Sequence, residues 1–329
     1  MTVLVTGAAG FIGFALASRL LEQGESVYGI DNLTPYYDVA LKEARLALLK
    51  AHPSFRFAPI DIADRASIED FFARERFDII VHLAAQAGVR YSLERPLAYV
   101  DANLVGFAHV LEGARGQRVR HFVFASSSSV YGANRKLPFS EDDNVDHPIT
   151  LYAATKKANE LTAHSYAYLF GLPCTGLRFF TVYGPWGRPD MAPLKFTKAI
   201  AAGEPIPVYN SGRMVRDFTY VDDVVEAVAR VMAAPPSAGD GQGTDAPYRI
   251  FNVGNGRPVE LLDFIKTIET CLGRKAQMQM LPMQLGDITA TLADVSRIER
   301  AVGFRPVITV EEGVRRLVDW YVARYHIAL

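Results

Sequence analysis

Three glycines, each three residues from the next, lie between an apolar run and a helix-like segment near the start of the chain. Residues 3–5 predict a buried strand, Gly7, Gly10 and Gly13 predict a tight turn, and residues 11–23 have helical periodicity. In such a unit the glycines allow a sharp turn, a close approach of the backbone to a ligand, and tight packing of the helix on the strand. The free amide groups at the start of the helix attract phosphate. The stretch therefore predicts a dinucleotide-binding turn at the start of an α/β fold.

An acidic residue follows the second apolar run. Residues 27–30 predict a strand that ends directly before Asp31. A carboxylate at this point accepts hydrogen bonds from the ribose diol of NAD and repels the 2′-phosphate of NADP. The glycines alone could serve packing, but the strand before them, the helix after them and the acid at the proper distance favour a nucleotide site. NAD is the predicted cofactor.

Strand-like and helix-like segments alternate beyond an insertion at residues 32–50, whose second half predicts a surface helix. Strands are predicted at 55–62, 78–85 and 121–126, and helices at 65–76 and 96–113. This alternation predicts a parallel, doubly wound sheet, in which ligands bind beyond the carboxyl ends of the strands.

Composition and charge point to no partner beyond a small molecule. The chain has 329 residues, is 50% hydrophobic and 22% charged, and carries a formal net charge of -1. These values suit a globular protein of one large or two medium domains and give no reason to expect a nucleic acid or an acidic membrane as partner. No apolar run reaches about 18 residues, and the N-terminus lacks the basic region of a signal peptide, so a cytoplasmic protein is expected. Cys174 and Cys271 lack metal-ligand spacing and are expected as buried thiols, with a disulfide left open, and no metal site is predicted.

Chemically active side chains follow the predicted strands. Small residues after the fourth strand lead to Arg90, which is either a charge at the mouth of a site or a solvated loop arginine. The fifth strand runs into four serines at 126–129, for which a serine-rich turn is the alternative. Tyr152 and Lys156 are four residues apart in a predicted helix at 151–170, which places the phenol and the ammonium on one helical face.

Together these motifs resemble the extended short-chain dehydrogenase/reductases of the NAD-dependent epimerase/dehydratase family. The matches run from residue 3 to about residue 306, which is nearly the whole chain. In chain order they are TGAAGFIG at 6–13, Asp31, Asp61 with Ile62, the serines before VYG at 130–132, Tyr152 with Lys156, RFF at 178–180, YGP at 183–185, RDF at 216–218 and YVDD at 220–223.

The resemblance implies a Rossmann doubly wound parallel sheet with a smaller C-terminal α/β substrate-binding domain. We expect an NAD-binding domain at residues 1–178 and a UDP-sugar-binding domain at residues 179–329, with the chain crossing back near residues 218–234. The residues implied to hold NAD are Gly7, Gly10, Phe11, Ile12, Gly13, Asp31, Asn32, Asp61, Ile62, Leu83, Ala84, Ala85, Asn103, Tyr152 and Lys156.

Within this family the chain most resembles the UDP-glucuronate 4-epimerases. The supporting segments are YYD at 36–38 in the insertion, QAGVR at 86–90, TVYGPWGRPDM at 181–191 and GD at 286–287. UDP-galactose 4-epimerases usually carry asparagine where Thr181 stands and arginine where Gln284 stands. These two departures disfavour a neutral hexose and put in doubt a diphosphate contact from position 284.

The resemblance implies NAD-dependent epimerisation at C4 of a UDP-hexuronic acid, UDP-glucuronate to UDP-galacturonate, through a 4-keto intermediate. Tyr152 is the implied base, Lys156 the cation that lowers the pKa of its phenol, and Ser127 the hydroxyl that shares the proton. A positive charge at about 4 Å, in an effective dielectric of about 20, supplies on the order of 4 kcal/mol, enough to bring a tyrosine near neutral pH. The implied substrate-binding residues are Arg90, Ser127, Ser128, Ser129, Thr181, Arg188, Met191, Lys195, Pro207, Tyr209, Arg216 and Asp287, with Arg188 and Arg90 as candidates for the carboxylate.

Several alternatives remain open at this point. The same scaffold could epimerise another UDP-hexose or decarboxylate UDP-glucuronate to a UDP-pentose, although the decarboxylating enzymes tend to carry glutamate where Ser129 stands. A 4,6-dehydratase is disfavoured because it needs an Asp-Glu pair at Ser128 and Ser129. An NAD-sensing regulator without turnover typically lacks the tyrosine or the lysine. The family resemblance also implies a homodimer that forms through the two long helices near residues 100 and 155.

Overall fold

The computed structural model describes residues 1–240, 245–284 and 286–327. Its strands are β1 (Thr2–Thr6), β2 (Ser26–Ile30), β3 (Phe55–Ala58), β4 (Ile79–His82), β5 (His121–Ser127), β6 (Cys174–Phe179), β7 (Thr181–Tyr183), β8 (Pro205–Tyr209), β9 (Val215–Tyr220), β10 (Tyr248–Val253), β11 (Pro258–Glu260) and β12 (Gln277–Leu281). Its α-helices are α1 (Phe11–Glu22), α2 (Val39–Lys50), α3 (Arg65–Arg74), α4 (Tyr91–Glu94), α5 (Pro96–Val100), α6 (Gly106–Gln117), α7 (Leu151–Phe170), α8 (Ala192–Ala202), α9 (Val221–Ala233), α10 (Leu261–Leu272), α11 (Ser296–Val302) and α12 (Val310–Tyr325).

The largest sheet has seven strands in the order β10-β6-β5-β4-β1-β2-β3, and every neighbouring pair in it is parallel. Because helices cover both faces of a parallel sheet, its strands are apolar on both sides. Leu4 and Phe122 pack into one core with α3, α6 and α7, whereas Val3, Val5 and Val81 pack into the other with α1 and α9. The predicted Rossmann doubly wound fold is confirmed.

A smaller lobe follows β6 and is built from two short sheets. One has the order β11-β9-β7, and the other pairs β12 with β8. Helices α8, α10 and α12 pack against one another beside these sheets. The chain also returns to the large sheet, because β10 pairs with β6 and α9 packs against α1. The domain boundary predicted at residue 178 falls one residue before the end of β6. Strand β10 and helix α9, which follow this boundary in the chain, therefore pack with elements that precede it.

The glycine turn after β1 is sterically closed to side chains. Gly7 has φ +72°, and a Cβ there would lie 2.8 Å from the backbone nitrogen of Ala84 at the end of β4. A Cβ on Gly13 would lie 2.1 Å from the carbonyl oxygen of Gly7. Because Gly7 has no Cβ, the turn can pack directly against the chain after β4. Because Gly13 has no Cβ, α1 can start close to the turn.

The helical segment predicted at 96–113 is longer and is interrupted. Residues Asp101–Val105 form a π-helical turn between α5 and α6. Asn103 lies in this turn with its side chain 1% exposed. Such turns are rare within α-helices and are frequent at functional sites.

Neither cysteine forms a disulfide. Cys174 is buried in β6 and Cys271 is half-buried in α10, and both are free thiols. Within the described ranges, no helix combines the length and the apolar content needed to cross a lipid bilayer.

Asp217 ties three segments of the smaller lobe together. It is fully buried, and its carboxylate accepts backbone N–H groups from Asn255 at 2.6 Å, Gly256 at 2.9 Å and Ala293 at 3.0 Å. This buried carboxylate only accepts hydrogen bonds, and three backbone N–H groups already point at it. An N–H group in its place would therefore find no acceptor.

We expect Asp217→Asn to lower the free energy of unfolding by about 2 to 4 kcal/mol, because its amide NH₂ would face backbone N–H groups and leave a buried donor unpaired. Denaturant unfolding followed by circular dichroism measures this. Asp222→Asn, at an exposed position on the next helix, is the matched control and should change stability by about 0.5 kcal/mol or less. Equal midpoints for the two variants would contradict the assignment.

Candidate active site

A cavity of about 840 Å³ opens at the carboxyl ends of β1, β2, β4 and β5 and extends to the smaller lobe. Of the residues predicted from the sequence to bind cofactor or substrate, all but Asn103 line this one cavity. On the cofactor side these are Gly7, Gly10, Phe11, Ile12, Gly13, Asp31, Asn32, Asp61, Ile62, Leu83, Ala84, Ala85, Tyr152 and Lys156. On the substrate side they are Arg90, Ser127, Ser128, Ser129, Thr181, Arg188, Met191, Lys195, Pro207, Tyr209, Arg216 and Asp287.

The start of α1 is a free anion-binding end. Gly10 at its N-cap makes no side-chain hydrogen bond, and the first turn holds no acidic residue. The amide groups there are thus available to a diphosphate and are not neutralised by the chain itself. A dinucleotide fits this end of the cavity.

Asp31 is held at the other end of the nucleotide turn. Its carboxylate accepts the backbone N–H of Ala9 at 3.1 Å and that of Leu33 at 2.8 Å. Burial raises the pKa of Asp31, and these two donors together with the charges of Lys42 and Arg45 oppose that rise. Each oxygen keeps a lone pair toward the cavity, which suits a ribose diol.

Asn103 supports the cavity wall without lining it. Its amide nitrogen donates to the carbonyl of Gln86 at 3.0 Å, and its amide oxygen accepts the N–H of Gln86 at 2.8 Å. It also donates to the hydroxyl of Thr155 at 3.1 Å. This side chain therefore fixes the loop after β4 relative to α7, and its direct contact with NAD stays a prediction.

The catalytic pair predicted from the sequence sits at the start of α7. Thr150 caps this helix by accepting the N–H of Ala153 at 3.2 Å. One turn apart, Tyr152 and Lys156 both reach the cavity, and the ammonium of Lys156 donates to the carbonyl of Ala125 at 2.9 Å. Burial lowers the pKa of Lys156 to about 8.

Besides Lys156, a second cation acts on the phenol of Tyr152. Burial raises the pKa of Tyr152, and the two groups that oppose this rise are a hydrogen bond with Ser127 and the charge of Arg188. The ammonium of Lys156 keeps its charge while it donates to a backbone carbonyl, so its role as the acidifying cation stays a prediction. Arg188 is a further cation that favours the phenolate.

Strand alternation separates the roles of the serines. Ser127 ends β5, accepts the N–H of Ser129 at 3.1 Å and faces Tyr152. Ser126 points to the opposite side and donates to Glu160 at 2.6 Å. Glu160 is in turn paired with Arg178 at 2.8 Å, and both side chains are buried. Ser127 is therefore the serine of β5 that is placed for chemistry.

Arg188 lies in the loop after β7 and is held by an acid. Its Nε and Nη2 donate to Asp190 at 3.1 Å and 2.6 Å, and the hydroxyl of Tyr36 donates to the same carboxylate at 2.9 Å. Burial alone would lower the pKa of Arg188, but Asp190 raises it above its ordinary value. These hydrogen bonds use one side of the guanidinium, and among the described residues its Nη1 remains available to a ligand.

Arg90 and Arg216 lie toward the smaller lobe. The guanidinium of Arg90 stacks over the ring of Tyr209 at 4.7 Å and pairs with Asp287 at 3.6 Å. Arg216 donates to the carbonyl of Val215 at 3.0 Å, while burial lowers its pKa and the charge of Asp287 opposes that change. Arg90 is thus a bridge between the lobes, and Gln284 lies outside the cavity lining.

Sequence reasoning missed several side chains around the cavity, including four that are polar or charged. Tyr36, Lys42 and Asp190 line it, and Arg45 lies directly behind it. Lys42 donates to the carbonyl of Thr34 at 2.8 Å. Three of the four belong to the insertion, where the pattern indicated only a surface helix.

A Rossmann sheet with a free phosphate-binding turn, and a Tyr–Lys pair in a cavity shared with a second lobe, define an extended short-chain dehydrogenase/reductase. Residues 3–254 match the model of the NAD dependent epimerase/dehydratase family, and the chain belongs to that family. The resemblance inferred from the sequence motifs is confirmed.

Several relatives and solved structures resemble this chain over nearly its whole length. The chain is 52% identical to a probable UDP-glucuronate 4-epimerase from Rhizobium meliloti, over 99% of this chain and 98% of the relative. It is 45% identical to UDP-glucuronate 4-epimerase 4 from Arabidopsis thaliana, over 99% of this chain and 76% of the relative. The crystal structure of the UDP-glucuronic acid 4-epimerase from Bacillus cereus, in complex with UDP-glucuronic acid and NAD, matches with a TM-score of 0.88 and 30% identity, over 99% of this chain and 100% of that chain.

The buried ammonium of Lys156 should weaken the fold. Its pKa falls from 10.5 to about 8 on burial, which corresponds to about 3 kcal/mol against the folded state below pH 8. Lys156→Met removes this cost and also the hydrogen bond to Ala125, so we expect a net gain of about 1 to 2 kcal/mol at pH 7 in protein freed of nucleotide.

The gain should shrink as the pH rises from 8 to 10.5, because the folded wild type releases the proton of Lys156 in that window while the unfolded chain keeps it. Urea unfolding at pH 7 and pH 10 measures the difference. Lys157→Met, one residue along the same helix, is the control. A gain independent of pH would refute the charge as its cause.

Proposed function

We propose that this chain catalyses the NAD-dependent epimerisation of UDP-glucuronate to UDP-galacturonate. The observation that carries the proposal is the position of Arg188. Its half-buried guanidinium acts on the phenol of Tyr152 and has a free edge at the cavity. A cation beside the base suits a sugar that carries a carboxylate at C5, whereas a neutral hexose offers it no partner.

Tyr152 is the proposed base and acts on the hydroxyl at C4 of the sugar. Ser127 shares the proton through its hydrogen bond with the phenol. Bound NAD supplies the acceptor for the hydride that leaves C4 and returns it later. Lys156 holds the end of β5 through the carbonyl of Ala125, which keeps Ser127 in place beside the phenol.

The reaction is redox-neutral over a full cycle. Loss of the O4 proton to Tyr152 and of the C4 hydride gives a 4-keto sugar, which turns over in the cavity. The hydride then returns to the other face of C4, and Tyr152 gives the proton back to O4. The stereocentre is inverted, and neither the enzyme nor its cofactor is changed.

The intermediate must also be protected, because a 4-keto sugar with a carboxylate at C5 is a β-keto acid and can lose carbon dioxide. Loss of carbon dioxide requires the bond between C5 and the carboxylate to align with the π orbitals of the C4 ketone. We propose that four residues hold the carboxylate in an orientation that prevents this alignment, namely Arg188, Thr181, Ser128 and Ser129. All four line the same cavity as Tyr152.

The nucleotide end of the substrate is proposed to lie in the smaller lobe. Met191, Lys195, Pro207 and Tyr209 would surround the uridine, as the family resemblance implies. Arg216 would meet the diphosphate, since a guanidinium forks onto two phosphate oxygens. From the sequence, Arg90 is a candidate for the carboxylate, but because it stacks over Tyr209 we propose that it joins Arg216 at the diphosphate. Asp287 would then orient Arg90, with which it already pairs.

Proton NMR of the anomeric signal, with UDP-glucuronate and the purified chain, tests the proposed function. We expect the signal of the C4 epimer to grow to equilibrium. A UDP-pentose with carbon dioxide would mean decarboxylation, a deoxy-ketose would mean dehydration, and an unchanged spectrum would mean that the chain binds NAD without turnover. Any of these three results would replace the proposal.

Tyr152→Phe should reduce kcat by about 100- to 10,000-fold, the usual range for loss of a general base. Bound NAD, measured by release of the nucleotide on denaturation, should stay at the wild-type level. Tyr168→Phe, an exposed tyrosine on the same helix, is the matched control. Full activity of Tyr152→Phe would overturn the assignment of the base.

We also propose that the chain forms a homodimer through α5, α6 and α7. Helix α7 packs beside α5 and α6, and α5 and α7 expose large apolar side chains. Leu97 is 72% exposed, Leu161 57% and Leu169 67%. Grouped apolar side chains of this kind are typical of a protein–protein interface.

A charge on this surface should separate the subunits. Leu161→Glu places a carboxylate in the proposed interface, and we expect a halved mass in multi-angle light scattering at micromolar concentration. Leu262→Glu, on the exposed side of α10, is the control and should leave the mass unchanged. A wild-type chain that is already monomeric, or a dimeric Leu161→Glu, would rule out this interface.

A further inference from the structure

Arg45 is a buried arginine in the insertion between β2 and β3. It is 0% exposed, and its Nη1 donates to the carbonyl of Ala9 at 2.9 Å and to the hydroxyl of Tyr37 at 2.8 Å. Ala9 belongs to the glycine turn and also donates its N–H to Asp31. One arm of this guanidinium is therefore fixed to the nucleotide-binding turn.

The other arm reaches the loop that carries Arg188. Its Nη2 donates to the carbonyl of Trp186 at 2.6 Å and to that of Gly187 at 3.2 Å. Trp186 has a positive φ of 61°, a conformation that costs energy for a bulky residue. The hydrogen bonds to Arg45 hold the backbone of this strained loop at the two residues before Arg188.

Stability alone does not account for this arrangement. In the part of the chain that the structure describes, no carboxylate lies within ion-pair distance of Arg45, and its Nε is buried without a partner. Burying a charge without an acid partner is costly. The planar guanidinium can donate several hydrogen bonds at once in a fixed geometry, and here it links carbonyl groups from separate segments of the chain.

A second contact runs from the insertion to the same loop. The hydroxyl of Tyr36 donates to Asp190 at 2.9 Å, and Asp190 holds two nitrogens of Arg188. Asp38 caps α2 by accepting the N–H of Ala40 at 3.0 Å, so Tyr36 and Arg45 are carried by one ordered unit. The insertion therefore grips the loop on both sides of Arg188.

We propose that residues 32–50 are a brace that positions Arg188 for the carboxylate of the substrate, with Arg45 as its central positioning residue. The inference rests on the proposed function and adds a specificity element whose central residue, Arg45, lies behind the cavity lining. Because Arg45 also holds the nucleotide turn, the brace ties the placement of Arg188 to the order of the NAD site.

The test is the affinity for UDP-glucuronate compared with that for UDP, which lacks the carboxylate. Both are measured by calorimetry with NAD-saturated protein in a Tyr152→Phe background, where no turnover occurs. Arg45→Lys keeps the charge but loses the fork. We expect the Kd for UDP-glucuronate to rise at least 10-fold and the Kd for UDP to change less than twofold.

Two further variants complete the design. Arg249→Lys removes an arginine that donates to the carbonyl of Ala234 and the hydroxyl of Thr175, far from the cavity, and should leave both Kd values unchanged. Tyr36→Phe removes only the hydroxyl that holds Asp190. It should weaken UDP-glucuronate alone by about threefold, and it keeps the proposal testable if Arg45→Lys does not fold.

Arg188→Ala separates the two proposals. If it weakens UDP-glucuronate while Arg45→Lys and Tyr36→Phe do not, the brace is overturned and the carboxylate role of Arg188 stands. If Arg188→Ala leaves the affinity unchanged, both the carboxylate role and the brace fall. Equal weakening of UDP and UDP-glucuronate by Arg45→Lys would show a general loss of structure and would also overturn the brace.

Discussion

The site is organised around the phenol of Tyr152, whose pKa is raised by burial. The ring packs against Tyr99 of α5 and its hydroxyl is hydrogen-bonded with Ser127 of β5, whereas the proposed chemistry needs the phenolate. Enclosure is nevertheless required, since a ketone intermediate must be kept from water and from release. Within the chain, Ser127 and Arg188 oppose the cost of burial. Their positions are set by backbone contacts at the end of β5 and in the loop after β7, so the chemistry depends on how firmly those two segments are held.

Arg188 interacts with both Tyr152 and Asp190, and the second interaction weakens the effect of the first. Its charge favours the phenolate of Tyr152, while Asp190 at 2.6 Å neutralises much of that charge before any ligand binds. A substrate carboxylate therefore gains less from net charge than from well-directed hydrogen bonds to the free edge of the guanidinium. Discrimination between a uronic acid and a neutral hexose then depends on the angle and distance of that edge. The loop holds a strained tryptophan two residues before the arginine, and the contacts from the insertion fix the backbone between them.

The sequence pattern predicted correctly those helices whose ends depend on residues close by in the chain. Helices α2 and α7 begin and end where their periodicity and flanking residues indicate. Strand β3 stops at Ala58, earlier than expected, because Pro59 has no N–H to continue the ladder. The π-helical turn around Asn103 was not predictable, because it depends on paired hydrogen bonds to Gln86, a residue from a different segment. The glycine turn, Asp31 and the Tyr–Lys pair were found because their chemistry requires particular residue types at fixed spacing.

Several of the contacts that escaped prediction share one physical property, namely that the partner is a backbone carbonyl. Lys156 with Ala125 and Arg45 with Ala9, Trp186 and Gly187 leave no trace in the identity of the accepting residue. Only the donor carries a signal. In α2 the buried positions 41, 42, 45, 46 and 49 form one face, and two of them are Lys42 and Arg45. A helix that merely covers the surface has no reason to place cations on its apolar stripe. A cation on the buried face of a helix therefore indicates that oxygen acceptors lie beneath it, even when no acid is present to name them.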